Sequence, residues 1–199
     1  MRRIDLPESW RGRAIVIAGA APEGWLSDSE ATIADAFHLQ KRRDEWRLSR
    51  VAAKQLAIEL GLCGAPTDCV IERPEIVIAG QRANIHLSIS HSHGYAAAAI
   101  DTAAVGIDVE RMRDIKTNAA HLFLSDEEAK AAGACRIDRA LLHFWAAKEA
   151  AWKQREGAVE TLKKVPLKLK AETGTGLRFD IVETVAIGEI VVALTVPTS

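Results

Sequence analysis

The sequence predicts an α+β fold of two similar lobes, because it contains the same order of elements twice. Each half is predicted to begin with a strand, continue with a short and a long helix, and end in strands. Residue-level similarity between the halves is weak, so the prediction depends on the order of elements. The predicted lobes are residues 1–103 and 104–199.

In the first half, an apolar run at 14–18 is typical of a strand. A short helix is expected from Ser27 or Asp28 to Phe37. A long helix is expected over 41–60, with Gly61 as its C-terminal stop. Strands should follow at 75–79 and 84–90, and the join to the second half should lie at 96–104.

The second half begins with a predicted strand at 105–110. Ser125 and Glu128 have the spacing of a capping box and should begin a short helix. A long helix over 138–156 should end at Gly157. Further strands are expected near 166–171, 177–182 and 187–196.

Composition excludes several classes of protein. The 199 residues include 26 Lys and Arg against 27 Asp and Glu, a balance that argues against a general nucleic-acid binder. The absence of a long apolar run predicts no membrane span, and the first residues do not resemble a secretory signal. Three widely spaced cysteines, Cys63, Cys69 and Cys135, indicate buried free thiols in a reducing cytoplasm rather than a disulfide framework or zinc site.

The run from Val105 to Glu110 alternates between apolar and acidic residues. In a strand, Asp108 and Glu110 then share one face, with their carboxylates about 7 Å apart. A hard cation such as magnesium suits two like charges held together in this way. The alternative interpretation is a strand with one solvated face.

The second long helix carries Trp145, Glu149 and Lys153 on one stripe, because residues four apart share a helix face. A glutamate whose only role is to contact solvent does not usually lie beside tryptophans on the side of a helix that is expected to face the core. The alternative is an ordinary helix pair between Glu149 and Lys153.

Two features of the first half favour phosphate binding. The long helix carries a basic stripe, separate from its apolar stripe of Leu48, Ala52, Leu56 and Leu60 and formed by Arg43, Arg47, Arg50 and Lys54. Ser90, His91 and Ser92 end a strand in a small polar turn whose hydroxyls and imidazole are able to donate to a phosphate. A solvated helix face and a plain turn are the alternatives.

Together these motifs resemble the 4′-phosphopantetheinyl transferases, specifically the two-lobed, surfactin-synthetase-activating type. The segment 123–128, at the start of the predicted short helix, also resembles the start of a short helix in that family. Three segments in order, at the separations that the family shows, carry the resemblance: Ile89-Ser90-His91-Ser92, Gly106-Ile107-Asp108-Val109-Glu110 and Trp145-Ala146-Ala147-Lys148-Glu149-Ala150-Ala151-Trp152-Lys153.

The resemblance implies a pseudo-dimer in which each lobe packs a small, mostly antiparallel sheet on a long helix, with the active site in the cleft between lobes. It implies a holo-[acyl-carrier-protein] synthase type of reaction. Coenzyme A gives its phosphopantetheine arm to a serine of an apo carrier protein, and adenosine 3′,5′-bisphosphate is released. The implied partners are coenzyme A and the carrier protein, with neither nucleic acid nor membrane, and the protein is expected to be a cytoplasmic monomer.

The resemblance also implies roles for single residues. Asp108, Glu110 and Glu149 would hold Mg²⁺, and Glu149 would accept the serine proton directly or through water. Lys153 would stabilise or protonate the departing bisphosphate, and Lys148 would contact the pyrophosphate.

On the nucleotide side, the resemblance implies that His91 contacts the 3′-phosphate of coenzyme A, with Ser90 and Ser92 beside it. Arg47 and Arg50 are the preferred phosphate contacts on the first long helix. The chain lacks the Gly-Lys-Pro or Gly-Arg-Pro that the family usually carries before the histidine segment, and Arg73 or Arg82 are possible substitutes.

Two other functions stay open from the sequence. One is a module that binds coenzyme A or a carrier protein without chemistry, which has little need of the charge cluster formed by Asp108, Glu110, Glu149 and Lys153. The other is a metal-dependent phosphodiesterase that removes phosphopantetheine from carriers.

Overall fold

The computed structural model describes residues 1–72, 75–156 and 158–196. The expected helix stop at Gly157 and the possible phosphate contact Arg73 lie outside the described residues. The chain divides into two compact units, the N-terminal unit (1–104) and the C-terminal unit (105–199). Both combine helices with antiparallel sheets, which confirms the predicted α+β class.

In the N-terminal unit, the helices are α1 (Asp28–Asp35) and α2 (Gln40–Glu59). One antiparallel sheet has the order β1-β2-β7-β6 and another the order β3-β4-β5. The strands are β1 (Arg2–Ile4), β2 (Ala14–Ala18), β3 (Cys69–Glu72), β4 (Glu75–Ile78), β5 (Gln81–Arg82), β6 (His86–Ser92) and β7 (Tyr95–Asp101). Gly61, which follows the C-cap residue Leu60 of α2, has φ +70°, so the predicted glycine stop is confirmed.

Helix α2 packs across β2, β7 and β6. The predicted apolar stripe is buried at Leu48, Ala52 and Leu56, whereas Leu60 at the helix end is exposed. The predicted join at 96–104 is wrong in its first part, because Tyr95–Asp101 forms β7 in the middle of the sheet. Ala96 and Ala98, two small buried residues on the face of β7 that packs against α2, let the backbone of the helix approach this strand closely.

A buried ion pair holds α1 and α2 together. Ser27 and Glu30 form a capping box at the start of α1. Glu30 Oε2 also lies 2.6 Å from Nζ of Lys54, which is fully buried, and Glu30 Oε1 accepts the backbone N–H of Ile71 at 3.0 Å. The ammonium of Lys54 donates a further hydrogen bond to the carbonyl of Pro66 at 2.9 Å, so both charged groups are compensated inside the core.

In the C-terminal unit, the helices are α3 (Asp126–Ala134) and α4 (Ala140–Gln154). The antiparallel sheet has the order β8-β12-β11-β10-β9, and α4 packs on β8, β12 and β11. The strands are β8 (Ile107–Arg111), β9 (Leu169–Glu172), β10 (Leu177–Phe179), β11 (Val182–Ile187) and β12 (Ile190–Thr195). The predicted capping box of Ser125 and Glu128 is confirmed at the start of α3.

The C-terminal unit contains the same type of ion pair as the N-terminal unit. Glu128, the capping-box glutamate, lies 2.7 Å from Nζ of the fully buried Lys148 on α4. Its carboxylate accepts the backbone N–H of Leu167 at 3.0 Å, and the ammonium of Lys148 donates to the carbonyl of Val165. Burial lowers the pKa of Lys148, an effect that the hydrogen bond and negative charge of Glu128 oppose. In both units a short helix is therefore fixed to a long helix by a glutamate that also caps its own helix.

A neutral histidine lies in the core of the C-terminal unit. His143 on α4 is fully buried, and its Nδ1 lies 2.8 Å from the hydroxyl of Thr184 on β11. Within the described part of the chain, its Nε2 is buried without a hydrogen-bond partner. Burial lowers the pKa of His143 to about 4, so the imidazole is uncharged at neutral pH.

We expect Lys54→Met to lower the free energy of unfolding by about 3–5 kcal/mol, because it leaves the carboxylate of Glu30 buried without its cation. Chemical denaturation measures this loss. The matched control is Lys164→Met, which removes a cation from the exposed pair with Glu160 and should cost under about 1 kcal/mol. Equal losses in the two variants would contradict this account of the buried pair.

The stability of the C-terminal unit should fall as the pH drops from about 6.5 to about 4. Over this range the unfolded chain protonates His143 while the folded state does not, a difference worth up to about 3 kcal/mol. We expect His143→Asn, which does not titrate, to flatten the dependence of unfolding free energy on pH. His38→Asn, at an exposed position, is the control and should leave the slope unchanged. An unchanged slope in His143→Asn would show that other groups cause the acid sensitivity.

Candidate functional site

Strand β8 can approach α4 closely because Gly106, the residue before it, has no side chain. A Cβ atom at this position would lie 1.9 Å from the carbonyl oxygen of Ala150 and 2.8 Å from the backbone nitrogen of Gln154. The backbone of Gly106 is also held by β12, because its N–H donates to the hydroxyl of Thr195 at 2.9 Å. This close approach gives a physical reason for the glycine that precedes the two acidic residues.

Asp108 faces α4 and is 4% exposed. Its Oδ1 lies 2.6 Å from Nζ of Lys153, which also donates to the backbone carbonyl of Ile107 at 3.3 Å. A strand face open to solvent, the alternative considered from the sequence, is therefore wrong for Asp108. Lys153 uses its ammonium on the strand rather than in a pair with Glu149 on its own helix.

Glu110, on the same face of β8, is half-buried under the same helix. Its Oε1 accepts a hydrogen bond from the indole N–H of Trp145 at 2.9 Å. The guanidinium of Arg113 lies 3.6 Å from the same oxygen. Contacts from α4 to both Asp108 and Glu110 confirm that the two carboxylates share one face of the strand.

Glu149 lies on α4 between Trp145 and Lys153 and is half-buried. Within the described residues its carboxylate makes no hydrogen bond and no ion pair. Burial raises the pKa of Glu149, the positive charge of Lys153 opposes this effect, and the negative charges of Asp108 and Glu110 raise the pKa further. The structure therefore brings Asp108, Glu110, Glu149 and Lys153 together as one cluster, which we call the β8–α4 cluster.

Lys148, also predicted as a site residue, does not join this cluster. Its ammonium lies in the core on another face of α4, paired with Glu128 and the carbonyl of Val165. This placement argues against the expected contact between Lys148 and pyrophosphate, which would require the buried ion pair to break.

The β8–α4 cluster suits a magnesium ion in the kind of ligands that it offers, because carboxylate oxygens are what this cation prefers. As they are placed, however, the described residues contain no group of three His, Cys, Asp or Glu side chains arranged to hold one metal ion. Lys153 contacts Oδ1 of Asp108, and Trp145 contacts Oε1 of Glu110. A cation shared by the three carboxylates would require Lys153 to move away from Asp108.

In the N-terminal unit, the predicted histidine segment is the C-terminal end of β6. His91 is exposed, with 43% of its side chain accessible, and its Nδ1 lies 3.7 Å from a carboxylate oxygen of Glu45 on α2. Ser90 and Ser92 are buried, and the hydroxyl of Ser92 lies 3.2 Å from Nδ1 of His93. Strand β6 thus presents His91 to solvent, while the serines on either side of it lie within the fold.

The basic stripe of α2 divides between the surface and the core. Arg47 is half-buried, and Arg50 is buried with its guanidinium stacked 3.9 Å from the ring centroid of Trp46. Lys54, in the core with Glu30, is not part of any exposed basic face. Arg82, a possible replacement for the missing family lysine, is exposed on β5 and paired with Glu75.

Sequence reasoning missed two partners of the candidate site. The hydrogen bond from Trp145 to Glu110 and the proximity of Arg113 to the same carboxylate follow from the packing of α4 on β8. The helical stripe that placed Trp145 beside Glu149 was a signal for the first of these. No sequence pattern singled out Arg113.

Comparison with known families points to the same part of the chain. Residues 104–182 match the family model described as the 4′-phosphopantetheinyl transferase superfamily. The matched residues include β8 and α4, and therefore the whole β8–α4 cluster, and the family suggests phosphopantetheinyl transfer in general. No curated protein matches the chain. No helix in the described part of the chain has the length and apolar character needed to cross a membrane.

We expect Glu149→Gln to be more stable than the wild type near pH 8. Because the folded state raises the pKa of Glu149, folding becomes less favourable as the pH rises above the ordinary glutamate value of 4.5. Glutamine removes this penalty, so the gain in melting temperature should disappear near pH 4. Thermal unfolding at several pH values measures the difference, with Glu23→Gln at an exposed position as the control. A variant that is less stable than the wild type only at high pH would contradict the direction of the pKa shift.

Proposed function

We propose that the protein is a 4′-phosphopantetheinyl transferase of the two-lobed, surfactin-synthetase-activating type, acting as a holo-[acyl-carrier-protein] synthase. It transfers the phosphopantetheine arm of coenzyme A to a serine of an apo carrier protein and releases adenosine 3′,5′-bisphosphate. The observation that carries this proposal is the convergence of three carboxylates and one lysine in the β8–α4 cluster, within the residues that match the family model.

The chemistry is the attack of a serine hydroxyl on one phosphorus of a pyrophosphate. The catalytic demands are a base for the serine proton, positioning of the reactants, and neutralisation of charge on the leaving group. Glu149 is suited to be the base, because its raised pKa means that its carboxylate has an increased affinity for a proton. Within the described residues, no hydrogen bond occupies this half-buried carboxylate.

Lys153 is suited to act on the leaving group. Its ammonium is the one positive charge of the β8–α4 cluster and contacts Asp108 Oδ1, a contact that a substrate phosphate is able to replace. We propose that Lys153 leaves Asp108 when substrate binds, so that its positive charge stabilises or protonates the departing bisphosphate. The same movement would release the carboxylate of Asp108.

Asp108, Glu110 and Glu149 are the residues that would hold Mg²⁺. When bound, the cation supplies charge neutralisation for the pyrophosphate. The three residues would present carboxylate oxygens from one face of β8 and one face of α4. The close contact at Gly106 fixes the distance between these two elements.

The N-terminal unit is proposed to bind the nucleotide end of coenzyme A. His91 is accessible on β6, and a phosphate near its imidazole would favour the charged form. Ser90, Ser92, Arg47 and Arg50 are proposed as neighbours of this contact rather than as independent sites. One chain contains both proposed halves of the site, so we propose that it acts as a monomer.

We expect the protein, with coenzyme A and Mg²⁺, to add one phosphopantetheine to at least one member of a panel of apo carrier proteins. Intact mass spectrometry detects the addition, which EDTA should abolish. Asp108→Asn and Glu149→Gln should each lower the rate by at least about a hundredfold, because each removes a proposed metal ligand and Glu149→Gln also removes the proposed base. The matched control is Glu183→Gln, a carboxylate on β11 of the same sheet that pairs with Arg178 and should keep its activity.

Unchanged rates in both site variants would contradict the mechanism. If no carrier gains mass while binding of coenzyme A is measurable by calorimetry, the protein is a binding module instead. Release of phosphopantetheine from a holo carrier would identify it as a phosphodiesterase.

A further inference from the structure

Two cysteine thiols of the N-terminal unit lie in contact. The sequence predicts three widely spaced, buried thiols, but the Sγ atoms of Cys63 and Cys69 are only 3.6 Å apart. The two thiols also differ in burial. Cys69 is fully buried at the first position of β3, whereas Cys63 is half-buried in the loop after α2. Cys135, the remaining cysteine, lies in the other unit, where its thiol donates to the carbonyl of Ala131.

Backbone contacts fix both ends of the loop that separates the two thiols. On the Cys63 side, the N–H of Leu62 donates to the carbonyl of Ala57 in the last turn of α2 at 2.9 Å. On the other side, Cys69 pairs with Ile78 in the antiparallel ladder of β3 and β4. Between them, Oδ2 of Asp68 accepts the N–H of Ala65 at 2.7 Å, which closes the loop on itself. Backbone contacts therefore hold both ends of this loop in place, with Cys63 beside the end of α2 and Cys69 in β3.

We propose that Cys63 and Cys69 are a thiol-oxidation site, at which a low-molecular-weight disulfide such as oxidised glutathione forms an intramolecular disulfide. The two sulfur atoms need to approach by only about 1.5 Å to reach bonding distance. This inference concerns the N-terminal unit alone and does not depend on the proposed transfer activity.

The difference in burial sets the order of the two exchange steps. Cys63 reacts first, because it is the thiol that solvent reaches. Its thiolate attacks one sulfur of the glutathione disulfide, a mixed disulfide forms, and the first glutathione leaves as a thiolate that takes up a proton. Cys69 is shielded from this step, and burial together with the hydrogen bond between the two thiols raises its pKa to about 12.

Cys69 then completes the reaction from inside the fold. Its thiolate attacks Sγ of Cys63, the bond to glutathione breaks, and the second glutathione leaves with the proton that Cys69 gave up. The net change is the oxidation of two protein thiols and the reduction of one glutathione disulfide to two thiols. Contact between the two sulfurs offsets the low thiolate content of Cys69, because the second step is intramolecular.

The disulfide would join the end of α2 to the start of β3 beside the buried ion pair of this unit. The thiol of Cys69 lies 4.0 Å from the carbonyl of Pro66, which accepts the hydrogen bond from Lys54. The charges of Lys54 and Glu30 both act on the Cys69 thiol. The oxidation site therefore adjoins the interaction that holds α1, α2 and β3 together.

The test is to incubate the reduced chain with oxidised glutathione, denature it so that the buried Cys69 is also accessible, block the remaining thiols with N-ethylmaleimide, and determine intact and peptide masses. We expect one maleimide, on Cys135, together with a loss of two hydrogens and a peptide cross-linked between Cys63 and Cys69. Dithiothreitol should reverse the change. Cys135→Ser is the control that should still form the cross-link, with no maleimide added.

Single variants separate the two steps. Cys69→Ser should retain one glutathione on Cys63, because the resolving thiol is absent, and Cys63→Ser should acquire no intramolecular disulfide. Three results would each overturn the proposal: three maleimides on the oxidised wild-type protein, a stable glutathione adduct on Cys63 in the wild type, or disulfides found only through Cys135 or between chains.

Discussion

A glutamate that caps one helix and pairs with a buried lysine of the next is the interaction on which each unit depends. In the N-terminal unit it is Glu30 with Lys54, and in the C-terminal unit Glu128 with Lys148. Each carboxylate also accepts a backbone N–H from the chain that follows the long helix. The long helix therefore has one permitted rotation and height, because any other would leave a charge buried without its partner.

The residue after each buried lysine shows how the two units differ. In α2 it is Gln55, which bonds to Glu59 on its own helix, and in α4 it is Glu149, directed to the acidic face of β8. Strand β2 pairs with β7 under α2, and β8 pairs with β12 under α4, so β2 and β8 have corresponding places in the two sheets. Strand β2 is entirely apolar. Both units therefore have a strand and a long helix at corresponding places, but only in the C-terminal unit do these two elements carry acidic residues that face each other.

The β8–α4 cluster carries an electrostatic cost that the rest of the unit must offset. Asp108 is compensated by Lys153, but Glu149 is close to two other carboxylates and is not hydrogen-bonded within the described residues. A protein selected for stability alone would gain from a neutral side chain at this position. The well-packed interior around α4, with Phe144 against Phe179 and four buried alanines on the same helix, supplies the stability that permits it.

The sequence by itself determined the features that depend on neighbours along the chain. The spacing of Ser125 and Glu128 predicted where a helix begins, and Gly61 predicted where one ends. The alternation around Asp108 and Glu110 predicted that these two residues share one face of the strand. The sequence did not determine β7, because a run of alanines has no strong strand preference and became a strand only between β2 and β6. Only the tertiary structure decided that Lys153 belongs to the acidic cluster while Lys148 belongs to the core. Helical spacing separates the two lysines by face, but their partners, Asp108 and Glu128, come from distant elements that meet α4 only in the folded chain.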